Sequence, residues 1–354
     1  MIRGAVQGVG FRPTVFRLAN EFDLSGWVRN TTQGVIIEAE GPERYCREFL
    51  TSVQSGKPVH AVFQSIEISE LDPKGYEDFQ ILESESGDPT ALILPDLCMC
   101  PECREDISDP KNRRYRYPFT NCTQCGPRYS IIERLPYDRA NTTMKKFEMC
   151  PECSREYHDP ADRRFHAQPN ACPVCGPHLE LWDQDGKILQ KHDPALMRAE
   201  ELILDGKIVA LKGLGGFQLA VDARNAQAIQ RLRARKHRSA KPFAVMFPDL
   251  ESIQQECLVC EEEKGLLKSG ASPIVLLEKC ATLVSNEVAA GNPYLGVMLP
   301  YTPLHQIFLG DLNIPLVMTS GNLSEEPMCM DEHEAVKALR NIADVFLVHN
   351  RPIA

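Results

Sequence analysis

Eight cysteines fall in four CxxC pairs, Cys100/Cys103, Cys122/Cys125, Cys150/Cys153 and Cys172/Cys175, separated by gaps of 18, 24 and 18 residues. The two halves superpose at an offset of 50. Residues 100–127 align without a gap on residues 150–177, and 12 of 28 positions are identical, including all four cysteines, the Asp-Pro step, the Arg-Arg pair and the closing Gly-Pro. Such a duplication fixes a metal chemistry and a domain boundary together. Zinc accepts four thiolates in a tetrahedron, and one CxxC turn brings two sulfurs close enough to share an ion. Two turns joined by an 18-residue loop make one closed site, so the repeat predicts two zinc ions. The simplest pairing keeps each four-cysteine set within its own repeat; a crossed pairing satisfies the same spacing. A histidine ligand, His158 or His166, is disfavoured because neither recurs in the first repeat. Four ligands leave no open position, so the predicted role is structural. In a stretch poor in apolar residues, zinc would supply about 10 kcal/mol of folding free energy per site. The recurring pairs Arg113/Arg114 and Arg163/Arg164 suit the net negative charge of such sites.

The remaining composition narrows the class. A chain of 354 residues has room for two or three domains, each with its own core. A formal charge of −10 argues against a generic polyanion binder, so no nucleic-acid partner is expected. No apolar run approaches the ~20 residues of a membrane span, and the N-terminal MIRGAVQGVGFRP lacks the apolar stretch of a signal peptide. Fourteen cysteines without a secretion signal read as reduced thiols, which favours metal ligation over disulfides and points to the cytoplasm. Cys98 stands outside the repeat, and Cys257/Cys260 read as half-buried thiols.

At the N-terminus, RGAVQGVGFRP (3–13) reads as strand, glycine-bearing loop and helix start, with Pro13 suited to a first helical position. Val15, Phe16, Leu18, Ala19 and Phe22 then form one apolar helical face. Backbone N–H groups of Gln7, Gly8, Val9, Gly10 and Phe11 would converge on an anion at the helix N-terminus, and Arg12 would add a fork to two phosphoryl oxygens. VQGVGFR (6–12) and GWVRNTTQGVIIEAEGP (26–42) resemble the two signatures of the acylphosphatase family. The resemblance implies a βαββαβ sandwich, with Arg12 binding the phosphoryl group and Asn30 orienting the attacking water. Val35–Ala39 and Asp78–Leu82 alternate as strands. The first strand has almost no lead-in.

The C-terminal part alternates strands and helices. LELWDQDGKILQ (179–190) predicts a hairpin with Asp185–Gly186 at the turn. A helix is expected from Asp193 to Asp205, a glycine-broken strand over 208–223, a helix over 225–236, strands over 241–247, 273–279 and 314–322, and a helix over 331–340, an α/β pattern. Three clusters point to a phosphate-handling cleft: Lys212 before a glycine run, Lys236/Arg238/Lys241 ahead of Pro242, and Thr319, Ser320, Asn322 and Ser324 after an apolar strand. KxRxxKP and TSGNxSxEP resemble the marks of YrdC-like domains, as does GVMLPYTPLH (296–305) with His305 at its end. The resemblance implies binding of ATP, with magnesium, and formation of carbamoyl-type adenylates, and Arg351 joins the same candidate set.

Together these features predict an α+β multidomain chain: an acylphosphatase-like domain over 1–86, a tandem zinc module over 98–178 and a YrdC-like domain over 190–354. In this order they resemble the HypF carbamoyltransferases, which mature [NiFe] hydrogenases. That resemblance implies hydrolysis of carbamoyl phosphate, adenylation of the released carbamate with ATP, and carbamoyl transfer to the C-terminal cysteine of a HypE-type partner. The family continues well beyond this point, so the chain reads as a fragment with its last domain cut short. Two rival readings are a threonylcarbamoyl-AMP synthase, which has no use for an acylphosphatase domain, and a zinc-finger binding protein without activity.

Overall fold

The computed structural model describes residues 1–85, 92–323 and 326–354. The chain divides into two compact units, one of Met1–Leu97 with Asn121–Cys175 and Ala354, the other of Cys98–Thr120 with Gly176–Ile353.

In the first unit the chain runs β1 (Ile2–Ala5), α1 (Phe11–Glu21), β2 (Ser25–Thr31), β3 (Gly34–Glu40), α2 (Glu43–Ser55), β4 (Val62–Ile66) and β5 (Phe79–Ile81). The sheet order is β4-β1-β3-β2-β5. This is the expected βαββαβ order followed by one further strand, β5, with the first strand only four residues long. Along β2, Gly26, Val28 and Asn30 are buried while Ser25, Trp27 and Arg29 are half-buried. This period-2 pattern puts Asn30 on the same face as the core. Val15 and Ala19 of α1 and Phe49 and Val53 of α2 join Val28 in that core. The β2–β3 hairpin holds Asn30 opposite Val35. At Gly26 the chain takes φ +133°, and a Cβ there would stand 2.1 Å from the Glu38 carbonyl oxygen.

Each cysteine repeat opens on a short helix, α3 (Pro101–Ser108) and α4 (Pro151–His158), with the first cysteine as N-cap and proline at the first helical position. Each then turns through a left-handed residue, Arg116 or His166, both at φ 54°. Their N–H groups reach back to Ile107 O at 2.9 Å and Tyr157 O at 3.0 Å, so the duplication holds in the backbone as well as in the sequence.

The second unit carries β6 (Leu179–Trp182), β7 (Ile188–Lys191), α5 (Asp193–Leu204), β8 (Val209–Lys212), β9 (Phe217–Asp222), α6 (Ala226–Arg235), β10 (Ala244–Met246), α7 (Leu250–Glu256), α8 (Glu261–Leu267), β11 (Val275–Glu278), β12 (Tyr294–Met298), α9 (Pro303–Leu312), β13 (Leu316–Ser320), α10 (Glu332–Leu339) and β14 (Val345–His349). Nine strands form one sheet in the order β11-β12-β10-β13-β9-β8-β14-β6-β7. Among the described residues of this sheet, the β10–β12 and β8–β14 pairs are parallel and the other pairs antiparallel. Phe217, Leu219, Phe243, Phe247, Val317 and Phe346 anchor its core. The 179–190 hairpin forms as expected: Asp183 Oδ1 accepts from Asp185 N and Lys187 N, both at 2.9 Å, and Gly186 takes φ 80°. The Asn225 side chain caps α6 and that of Asp331 caps α10.

Sequence periodicity assigned no element to β12, β14, α7, α8 or α9. All five residues of β14 are buried, which removes the alternation that marks a strand. Seven residues of α9 are buried around its circumference, which removes the 3.6-residue stripe. Among the described residues no helix is long and apolar enough to cross a membrane.

Gly26→Ala brings a Cβ against a backbone carbonyl that cannot yield. It is expected to cost about 3 kcal/mol, read as a lower urea midpoint by Trp27 fluorescence. An unchanged midpoint would contradict the β2–β3 geometry.

Candidate functional site

The cysteines group within repeats. Cys100, Cys103, Cys122 and Cys125 form one group and Cys150, Cys153, Cys172 and Cys175 the other, with the sulfurs of each group all within 4.8 Å of one another. Zn–S bonds of about 2.3 Å require tetrahedron edges of about 3.8 Å. The second group shows 3.7 Å for Cys150–Cys172, 3.8 Å for Cys172–Cys175 and 3.6 Å for Cys153–Cys175. Cys122 and Cys125 stand 3.8 Å apart. The donor set and its dimensions therefore fit zinc, and the eight cysteines would hold two ions whose role is structural. His158 is turned away from ligation, its Nδ1 lying 2.8 Å from Ser154 O. Cys98 points its thiol at Ser269 O, 3.7 Å away.

The first unit contains a cleft with about 360 Å3 of free space, part of it open to solvent. Its floor is the loop between β1 and α1. Gly8 and Gly10 are left-handed there, at φ 72° and 75°, and Gly10 caps α1. This conformation sets the glycine loop at the N-terminus of α1, where its backbone N–H groups would meet an anion. Arg12 and Asn30 both line the cleft and are 8% and 1% exposed. With the Asn30 amide turned so that its oxygen faces the guanidinium, Oδ1 accepts from Arg12 Nε at 3.2 Å and Nη2 at 3.1 Å. Arg12 Nη2 also donates to Asp138 Oδ1 at 2.8 Å and Nη1 to Ser84 Oγ at 3.4 Å. The Gln7 side chain is committed to the fold: Nε2 donates to Thr31 O at 2.6 Å and Gly34 O at 3.1 Å, while Oε1 accepts from Tyr137 N at 2.9 Å. Only its backbone is left for an anion. Val9 and Phe11 are buried core residues, 1% exposed each, that fix the loop from below.

Residues beyond the sandwich complete this cleft, and sequence reasoning did not place them there. Buried Arg128 donates from Nε to Gly8 O, from Nη1 to Cys125 O at 3.0 Å and Pro127 O at 2.9 Å, and from Nη2 to Thr123 O at 2.8 Å. Asp138 stands between two anchored neighbours, Tyr137 on Gln7 and Arg139, whose Nη1 donates to Gln168 O at 2.6 Å and Asn170 O at 2.9 Å. Burial pushes the Tyr137 phenol up to about 12. His166 lines the cleft from the second repeat; burial, then the charge of Arg12, holds its ring down to about 4 and hence neutral. The available signal for Arg128 was its position, directly after the closing Gly-Pro where the repeat ends.

In the second unit Lys212 closes β8, and Lys236 and Arg238 reach the end of β13. Lys236 Nζ donates to Ser320 O at 2.7 Å, Asn322 O at 2.5 Å and Asn322 Oδ1 at 3.0 Å. Three acceptors match its three N–H bonds, so Lys236 organises the turn after β13. Burial, then Arg238, lowers it to about 8. Arg238 Nη1 donates to Thr319 Oγ1 at 3.4 Å, with its guanidinium 4.7 Å over the Phe243 ring. Ser320 Oγ donates to Asn322 Oδ1 at 2.7 Å. Lys212 is almost fully buried, and its Nζ donates to Glu332 Oε2 at 2.5 Å and His349 O at 3.3 Å. Burial lowers its pKa. His305 is enclosed, its Nε2 3.0 Å from Gln218 Oε1, and burial holds it at about 3. Arg351 lies 5.3 Å over the Phe119 ring. The Lys241 side chain is exposed, and Ser324 lies outside the described residues. Glu332 and Gln218, which receive Lys212 and His305, carried no local sequence signal.

Fold and site together define a multidomain α/β protein in which an acylphosphatase sandwich and a YrdC-type sheet accompany duplicated four-cysteine knuckles. Family models agree: acylphosphatase over residues 1–81, HypF finger over 99–132 and 149–182, and telomere recombination (Sua5, YciO, YrdC) over 201–354. The chain is 50% identical over 353 residues to the carbamoyltransferase HypF of Synechocystis, covering 99% of this chain and 46% of that protein. It superposes on a crystal structure of full-length HypF in the phosphate- and nucleotide-bound form with a TM-score of 0.96 at 48% identity, covering 99% of this chain and 46% of the other. Residues of the first segment are 44% identical to the acylphosphatase of Thermotoga maritima over 81 residues, 23% of this chain and 89% of that one. The chain belongs to the HypF family, and it spans about half the length of the curated relatives it matches.

Two zinc ions per chain are expected by elemental analysis, and Cys153→Ser is expected to lose one of them. Retention of both ions in that variant would contradict the assigned groups.

Proposed function

We propose that the chain carries two successive steps of carbamoyl transfer in [NiFe]-hydrogenase maturation. The observation that carries this reading is the Arg12–Asn30 pair, in hydrogen-bond contact on the floor of a cleft formed at a glycine loop and helix N-terminus. An acyl phosphate is already activated, so hydrolysis needs no covalent nucleophile. Arg12 and the loop N–H groups of residues 7–11 neutralise the phosphoryl oxygens. Asn30, fixed by the guanidinium, directs a water onto phosphorus. The P–O bond to the acyl oxygen breaks, and carbamoyl phosphate yields phosphate and carbamate.

The second step belongs to the second unit. A carbamate oxygen attacks the α-phosphorus of ATP, with magnesium on the phosphates, pyrophosphate leaves and carbamoyl adenylate forms. Lys212, Lys236, Arg238, Lys241 and Arg351 supply positive charge, and Thr319, Ser320, Asn322 and Ser324 supply hydroxyls and an amide for phosphates and ribose. His305, held neutral, reaches the site through Gln218 as a hydrogen-bonding group. Crystallisation of a HypF relative in a phosphate- and nucleotide-bound form supports this reading. The acceptor of the carbamoyl group is then the C-terminal cysteine of a HypE-type protein, in the cytoplasm, where the cysteines of this chain escape disulfide formation. The zinc ions, held by the eight cysteines, keep the knuckles folded and take no part in either step. The domain limits that go with this reading are 1–86, 98–178 and 190–354.

Phosphate release from carbamoyl phosphate is expected to fall about 10²–10³-fold in Arg12→Ala and Asn30→Ala. Pyrophosphate exchange into ATP is expected to require carbamoyl phosphate, and to decline as the pH rises through the lowered pKa of Lys236. Exchange that requires threonine instead would contradict the reading and favour a threonylcarbamoyl-AMP synthase. No phosphate release from the wild-type chain, with Arg12→Ala changing nothing, would favour an inactive zinc-finger protein.

A further inference from the structure

We infer that His166, presented by the second knuckle, is the specificity-determining residue of the Arg12 cleft and receives the carbamoyl end of the substrate. The inference rests on the hydrolytic reading above and deepens it.

The duplication supplies the internal control. Arg116 and His166 occupy the same left-handed turn, with the same φ and the same backbone hydrogen bond. A non-glycine residue there carries a conformational cost in both copies. The turn is therefore architecture, and what differs is the side chain each copy presents. Arg116 satisfies its guanidinium on Asp193, at 3.0 Å, and Asp311, at 2.7 Å. His166 instead lines the cleft that holds Arg12 and Asn30, with the Asp138 carboxylate close enough to act on its ring.

The ring is fixed rather than free. It packs 5.1 Å from the Tyr157 ring and 4.6 Å from the Phe165 ring, centroid to centroid. Tyr157 is itself anchored through its hydroxyl on Gln168 Oε1 at 2.9 Å. Desolvation and the neighbouring Arg12 charge keep the imidazole neutral, so it offers one N–H donor and one nitrogen acceptor. A carbamoyl group needs that complement: its amide nitrogen donates and its carbonyl accepts. An acetyl group presents a methyl where carbamoyl has NH2, and it leaves the acceptor nitrogen unmatched. Residue 166 lies outside the segment that matches acylphosphatases, residues 1–81. The phosphoryl end is thus read by the sandwich, and the acyl end by a residue the knuckle brings.

The test is steady-state phosphate release by the whole chain from carbamoyl phosphate and from acetyl phosphate, with zinc content measured on every variant. His166→Ala is expected to lower the carbamoyl-to-acetyl ratio of kcat/KM about tenfold, the scale of one lost hydrogen bond to a buried partner. His166→Phe, which keeps the ring packing and removes both nitrogens, is expected to lower the ratio equally and carries the test if the alanine variant loses zinc. His166→Asn keeps a donor and an acceptor, tolerates the left-handed backbone, and is expected to retain most of the ratio. A ratio that stays at the wild-type value in His166→Ala or His166→Phe, while Arg12→Ala abolishes release, overturns the inference and leaves the hydrolytic reading standing. An equal loss on both substrates overturns it as well. Wild-type chain that hydrolyses neither acyl phosphate overturns both.

Discussion

The guanidinium of Arg128 is the constraint on which the candidate hydrolytic site depends. Its N–H groups are directed at backbone carbonyls: Gly8 in the anion loop, and Thr123, Cys125 and Pro127, with Cys122 at 3.5 Å, in a cysteine turn. A buried arginine is tolerable only when its donors are satisfied, and here no single element could satisfy them. The loop that would cradle a phosphoryl group and the turn that carries two metal ligands are therefore held against one another by a single side chain. Glycine at positions 8 and 10 follows from the same packing. A Cβ on Gly8 would meet Arg128 and Tyr137 at 3.0 and 3.2 Å, and one on Gly10 would meet Thr123 at 3.2 Å.

This changes the meaning of the zinc sites. All-thiolate coordination leaves no position for substrate, so the knuckles are not catalytic. They are also more than a spacer between domains. The segment between the second and third CxxC pairs brings Tyr137 onto Gln7 and Asp138 onto Arg12, and the second knuckle brings His166 and Gln168 to the cleft. The sandwich thereby acquires a second wall at its cleft. Asp138 holds Arg12 through an ion pair while Asn30 holds it through a neutral amide oxygen, so the guanidinium is oriented from two sides.

Much of this was legible in the chain, and the division follows from range. The CxxC spacing, the glycine loop, the helix caps and the 179–190 hairpin are set by neighbours within a few residues. So two four-cysteine sites could be read from spacing with their pairing left open, while the βαββαβ order and the parts of Arg12 and Asn30 came from the resemblance to acylphosphatases. The partners of those residues could not. Asp138 is 126 positions from Arg12, Arg128 is 120 from Gly8, and Glu332 is 120 from Lys212. Nothing in a window around any of them marks the pairing. Strand β14 and helix α9 were invisible for a different reason: burial on every side erases the polar positions that reveal a period. His166 was legible only in the negative. Its failure to recur removed it from the list of metal ligands, and the same non-recurrence is what frees it for the cleft.

The central claim is that the anion loop and the cysteine turn form one structural element through Arg128. It is tested most directly by measuring carbamoyl phosphate hydrolysis and zinc content together in Arg128→Lys. A lysine keeps the charge but has three donors where five are used, and it cannot bridge Gly8 and the turn at once. Arg128→Lys is expected to lower kcat/KM at least tenfold with both zinc ions still bound. Hydrolysis at the wild-type rate in that variant would show that the loop holds its shape without the knuckle, and would contradict the account.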